Sequence, residues 1–184
     1  MRTQPLRTKC HWQPFADIVT IYKALNRRFG NGQNYVGIQI YKNLVRLNCL
    51  PAEEAESVFL DCCGSHVWAR RMTVARPYRM IEELYFTAEK TWRSLADSDR
   101  IEAYSGSGIR PLGKDPQDSL VDAARLYQDK FGFIFVVDLT GRSAEELLAI
   151  CKARLGNSAE TELAIASNEH RKIIEGRLNE LLEK

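Results

Sequence analysis

Cys62-Cys63-Gly64-Ser65-His66-Val67-Trp68 is the stretch on which the reading of this chain turns. Upstream of it, Pro51-Ala52-Glu53-Glu54 makes a good first helical turn, with proline early and acids near the positive end of the helix dipole. Ala55, Val58, Phe59 and Cys62 then fall on one stripe, and Gly64 punctuates the pattern. Downstream, His66 to Met72 reads as a second short helix, with Trp68 and Met72 four residues apart. Two adjacent cysteines cannot project together into a tetrahedral metal site as Cys-x-x-Cys would, so at least one reads as a small core residue, with a redox pair as the lesser reading.

The helical pattern runs outward in both directions from Leu44 onward. Pro77 breaks the chain, and Met80 to Leu95 is amphipathic through Ile81, Leu84, Tyr85, Ala88, Trp92 and Leu95. Asp97 to Tyr104 reads as a short helix with Asp97 as its N-cap. Ser105-Gly106-Ser107-Gly108 is the most flexible tetrapeptide, and Gln117 to Lys130 resumes a helix. Ser143 with Glu146 three residues later is a capping box, opening a helix that reaches Leu155 and ends at Gly156-Asn157. Ser158 or Ala159 opens the last helix, whose apolar face includes Ala166, Ile174, Leu178 and Leu182. Phe131 to Leu139 is apolar and β-branched, and periodicity alone makes it a buried strand, although one strand has no evident partner. Residues 1–42 read as an N-terminal extension without an assignable role, in which Phe15 to Phe29 forms a short helix. The expectation is an all-α, single-domain bundle of about eight helices over residues 43–184.

Composition bounds what such a bundle does. The chain has 184 residues, 45% hydrophobic and 27% charged, which suits a globular domain with one core. Its 26 basic and 24 acidic residues leave a net charge of +2, too little for a field that draws in nucleic acid or an acidic membrane. No apolar run approaches the ~20 residues that span a bilayer. The basic start lacks the apolar segment of a secretory signal, and five irregularly spaced cysteines argue against a disulfide framework. A reducing, cytoplasmic location is expected.

Chemistry-bearing residues are sparse. No phosphate loop, nucleotide fingerprint or metal-ligand spacing occurs. Of the three histidines, His66 reads as a partly exposed helix-start residue, and His170, between Glu169 and Arg171, as part of a solvated charged face. Arg177 borders an apolar face, where an arginine either reaches to water or clamps an anion. Phe131, Phe133 and Phe135 read as core, with Gly132 offering close approach to the backbone.

Taken in order, these blocks resemble one family. Leu47-Asn48 with Pro51-Ala52-Glu53-Glu54, Cys62 to Ser65 with Trp68 and Met72, Arg76-Pro77-Tyr78, Glu102-Ala103-Tyr104, Phe131 to Phe135, Arg154 to Asn157 and Arg171 to Leu178 are similar to the OHCU decarboxylases. OHCU is 2-oxo-4-hydroxy-4-carboxy-5-ureidoimidazoline. The resemblance implies urate breakdown to (S)-allantoin on a small ureidoimidazoline substrate, with no metal or organic cofactor, and a possible homodimer. It makes Phe131 to Leu139 a buried non-sheet segment. It implies substrate contacts from Arg177, from the backbone near Val136 and Val137, and from Ser107 and Phe133. It also exposes a gap. The family's His-Pro and Glu-Gln, which carry the acid-base chemistry, are missing between Gly106 and Ser107, so no catalytic residue can be assigned. The alternative is therefore a pseudoenzyme or splice form retaining ureide binding or dimerisation. A third reading, an unrelated helical interaction protein, has the ordered blocks against it. The final Leu182-Glu183-Lys184 is not a Ser-Lys-Leu-type peroxisomal ending, although a peroxisomal location fits a eukaryotic source.

Overall fold

The computed structural model describes residues 34–106 and 119–184, and within them it is all-α. Its helices are α1 (Asn34–Cys49), α2 (Ala52–Cys63), α3 (His66–Val74), α4 (Ile81–Arg93), α5 (Asp97–Tyr104), α6 (Ser119–Phe131), α7 (Ala144–Arg154) and α8 (Ala159–Glu183). The helix expected over Phe15 to Phe29, and Ser107, lie outside the described residues. α1 starts ten residues before the expected helical pattern, so residues 42 and 43 are consecutive within one helix.

The 25-residue α8 organises the bundle. It carries Ala166, His170, Ile174, Leu178 and Leu182 at intervals of four, all buried, and packs on α1, α2 and α4. Spacing of four keeps side chains on one face of a 3.6-residue helix. Asn43 of α1 donates to the Leu182 carbonyl at 2.8 Å. Trp92 of α4 donates from its indole to the Ser167 carbonyl at 3.1 Å. Around Phe59 of α2, Trp68 and Tyr78 pack edge-on, with ring centroids 5.9 and 6.3 Å away. The cis Arg76-Pro77 link joins α3 to α4. It is pinned to the end of α1: Arg76 Nη1 donates to the carbonyls of Leu47 and Leu50, and Asn48 exchanges two hydrogen bonds with the Tyr78 backbone.

Helix ends follow the sequence signals with one exception. Ser65 and Ser158 accept from the backbone N–H three residues on, and Ser143 with Glu146 closes both halves of the capping box. Asp97, by contrast, is the first residue of α5; Ala96 occupies the cap position and supplies no side-chain bond. The acid sits inside the first turn, where the helix dipole favours it without a hydrogen bond.

Phe131 to Leu139 forms no strand. After Gly132 (φ +78°) ends α6, the chain runs as an extended segment with a single bridge residue at Phe135. Gly132 serves the left-handed turn, and a Cβ there would meet no protein atom within 4 Å. Phe133, Phe135, Val136 and Val137 are buried. Tyr127 packs against Phe131, Phe133 and Phe135, with centroids 4.7 to 5.8 Å away.

Gly64 shows why the opening stretch decides the fold. It has φ +86°, and a Cβ on it would lie 2.7 Å from the Ala103 carbonyl oxygen. The α2–α3 corner therefore seats directly on α5. Gly64→Ala is expected to destabilise the protein by roughly 2 kcal/mol or more, from left-handed strain plus displacement of backbone. Gly37→Ala, in open space on α1, should be neutral or stabilise by up to about 1 kcal/mol. Paired urea titrations check both, and equal midpoints for the two variants would refute the packing argument.

Candidate ligand groove beside Arg177

One face of α8 and the turn after the extended segment form an open groove of about 600 Å³. It is lined by Gly106, by Val137 to Thr140 and by α8, which contributes Lys172 and Arg177 together with Glu175 and Glu180. Arg177 and Val137 are thus brought together. Phe133 and Val136 are not: Phe133 stacks on Tyr104 in the core, and Val136 is fully buried.

Each wall has a definite support. The Val136 carbonyl accepts a 2.7 Å hydrogen bond from Arg154 Nη1. Arg154 is itself ion-paired with Glu162, which also accepts from the Tyr127 hydroxyl and, at 2.8 Å, from the Asn157 amide. Arg154 and Glu162 are both buried, so each depends on the other to offset its desolvation. The Asp138 N–H donates to Glu169 Oε2 at 3.0 Å, and Lys172 Nζ donates to Glu169 Oε1 at 2.6 Å. Burial raises the Glu169 pKa, but Lys172, the Asp138 N–H and Arg142 outweigh it and hold the carboxyl below its ordinary range. The N–H and hydroxyl of Thr140 hold Asp138 low as well.

Arg177 clamps main chain. Its guanidinium donates to the carbonyls of Asp61 and Cys62 at the end of α2, at 3.3 and 3.4 Å, and to the Gly106 carbonyl at 3.2 Å. It fastens the α2 terminus to the point where the sequence loses its family pattern. Cys62 and Cys63 are free but buried, and burial pushes both thiols up to about 12, so neither is a thiolate nucleophile near neutral pH.

The histidines divide. His66 is exposed at the start of α3, as expected, and away from the groove. His170 overturns the expectation of a solvated face: it is fully buried. Its ring lies 4.8 Å from Trp92 and 5.4 Å from Tyr104, and Nε2 donates to the Cys63 carbonyl at 2.8 Å. That donation leaves Nδ1 as an acceptor, buried and without a hydrogen-bond partner among the described residues. The charged neighbours Glu169, Arg171 and Lys172 hid it. The four-residue spacing from Ala166 through Leu182 was the signal that could have found it. The Arg154–Glu162 pair had no such signal, because eight residues separate its members across a helix break.

A separate, more apolar groove of about 390 Å³ lies between α4 and α8, lined by Tyr85, Phe86, Trp92 and Ile174 among others. It contains none of the expected contact residues.

The comparisons with known proteins bear on this geometry. The family model described as OHCU decarboxylase matches residues 48–106 and 104–179. The chain belongs to the OHCU decarboxylase family. It is 31% identical to the uric acid degradation bifunctional protein TTL of Arabidopsis thaliana, over 70% of this chain and 48% of that protein. It is 27% identical to the uric acid degradation bifunctional protein of Bacillus sp. (strain TB-90), over 77% of this chain and 32% of that one. The chain thus spans half or less of these two relatives. Among solved structures, an OHCU decarboxylase crystallised in the presence of (S)-allantoin superposes with a TM-score of 0.61 at 30% identity, covering 68% of this chain and 97% of that one. An (S)-allantoin synthase structure shares the fold, with a TM-score of 0.63 at 17% identity, over 75% of this chain and 53% of that one. Membership in this all-α family explains the non-sheet Phe131 to Leu139 segment. Among the described residues no helix is long and apolar enough to cross a membrane.

His170 generates a pH dependence. Burial is the main cause that lowers its pKa, to about 4, against the hydrogen bond to Cys63. The native state prefers the neutral ring, so its contribution is intact above pH 6.5 and is lost as pH falls toward 4. The loss amounts to about 3 kcal/mol at most. In unfolding titrations from pH 7 to 4, His170→Gln is expected to show a shallower decline than the parent. Parallel declines would exclude His170 as the acid-sensitive group.

Proposed function

We propose that this chain keeps the ureide-binding groove of an OHCU decarboxylase without the residues that perform the decarboxylation. The observation that carries this reading is the two-part family match, whose segments meet at residues 104–106. Gly106, at that junction, also lines the groove, and its carbonyl accepts from Arg177. The plant alignment agrees: it extends over 157 positions but takes up only 70% of a 184-residue chain, so the relative carries residues with no counterpart here.

Loss of the substrate carboxylate develops negative charge on the ring, which has to be stabilised while a proton is delivered to one face. Arg177 and Lys172 offer positive charge for the first task. For the second, the groove has the carboxylates Glu175 and Glu180 but no histidine among its described lining residues to pair with them, and residues 107–118 contain neither histidine nor glutamate. Removing one acid-base group costs about 10²–10⁴ in rate, and a coupled pair with its supporting loop costs more. Substrate contacts assigned to Arg177 and the Val137 backbone need no such group. The Val136 carbonyl is already engaged by Arg154, which leaves Val137 as the more available neighbour. A second reading, an active decarboxylase, is favoured by the 97% coverage of the solved enzyme, and would draw its proton from Lys172.

The deciding experiment follows (S)-allantoin by circular dichroism, starting from OHCU generated in situ from urate. The expected trace is the same with and without the folded protein. A tenfold faster build-up of optical activity that disappears in Lys172→Met would establish the second reading instead.

Binding is testable separately. (S)-Allantoin is expected to bind in calorimetry, and Arg177→Met to weaken it by at least tenfold. An unchanged affinity would remove Arg177 from the ligand site.

A further inference from the structure

The wall formed by residues 137–140 consists of main chain outside any helix, so something must hold it. Inside it, Asp138 accepts from the N–H and hydroxyl of Thr140 at 3.1 and 2.8 Å, and the Arg142 N–H bonds back to the Leu139 carbonyl at 3.2 Å. These contacts make a compact turn but do not fix it to the bundle. The described attachment to α8 is Glu169. Its Oε2 accepts the Asp138 N–H at 3.0 Å and lies 3.9 Å from Arg142 Nη2, while its Oε1 takes Lys172 Nζ at 2.6 Å. Glu169 is only 8% exposed, so these bonds operate with little competition from water. One carboxylate therefore joins both sides of the groove: the turn through Asp138 and Arg142, and the helix wall through Lys172. Neither the family match nor the expected contact set assigns it a part.

We infer that Glu169 is a positioning residue for the groove, setting the distance between the residue 137–140 turn and the Lys172 side of α8. The inference rests on the ligand-binding reading of the groove, but its geometry is independent of decarboxylation. Without the carboxylate the turn loses its tie to α8, and Lys172 is released to sample the groove. The preorganisation that a small, polar ligand needs would go with it.

The test combines amide exchange with ligand affinity in the full chain. Glu169→Ala is expected to speed exchange of the Asp138 amide by at least tenfold while amides of the buried α8 face keep their protection. (S)-Allantoin affinity should fall at least tenfold. Glu169→Gln keeps an oxygen for the Asp138 N–H but loses both ion pairs. It should retain most of the amide protection and lie between the parent and the alanine variant in affinity, which makes it the working variant if alanine fails to fold. Unchanged Asp138 exchange in both variants would overturn the inference. So would faster exchange with unchanged affinity. If the parent protein binds no (S)-allantoin, the ligand reading of the groove fails on its own, and the exchange result still decides whether Glu169 holds the turn.

Discussion

Four helices meet at the imidazole of His170. It stands on α8, donates to the last carbonyl of α2, and lies against Trp92 of α4 and Tyr104 of α5. Because Nε2 serves a main-chain acceptor that no longer has a helical partner, the ring satisfies the end of α2 while filling the centre of the bundle. The bare Nδ1 is the cost of this arrangement. A residue of purely apolar character would fill the space and leave the α2 terminus short of a donor. A charged one would have to shed its hydration in a fully enclosed site. The Gly64 corner, the seating of Ala103 and the course of α5 toward Gly106 all follow from holding α2 at this depth.

Much of the architecture was legible in the chain because local signals and burial agreed. Ser143 with Glu146, Ser158 before Ala159, and Gly64 after the Cys-Cys pair each mark a helix end where the structure has one. Periodicity failed where it had no way to choose. Phe131 to Leu139 alternates like a strand, yet a strand needs a partner for its backbone; here the segment's carbonyl and N–H groups at Val136 and Asp138 go to the side chains of Arg154 and Glu169. Those partners are supplied by tertiary structure, so no window of sequence can reveal them. His170 is the opposite case. Its burial was written in the four-residue stripe, but the surrounding charges carried more weight in the reading.

The site divides along the same line. Arg177 was found through the family resemblance, and the structure places it with Val137 in one groove. Arg154 with Glu162 was invisible because a helix break separates the two, whereas Glu169 and Lys172 are three residues apart on one helix and only the hold of Glu169 on the Asp138 N–H lay beyond local pattern. A family resemblance transmits the contacts that a ligand makes more readily than the contacts that hold the contacts.

Arg177 has a consequence beyond its place in the groove. Its guanidinium already neutralises the negative end of the α2 dipole and ties in Gly106. Replacing Arg177 therefore removes a helix-end partner as well as a groove cation, so the closure of the α2–α3 corner and the charge of the groove change together at this one position.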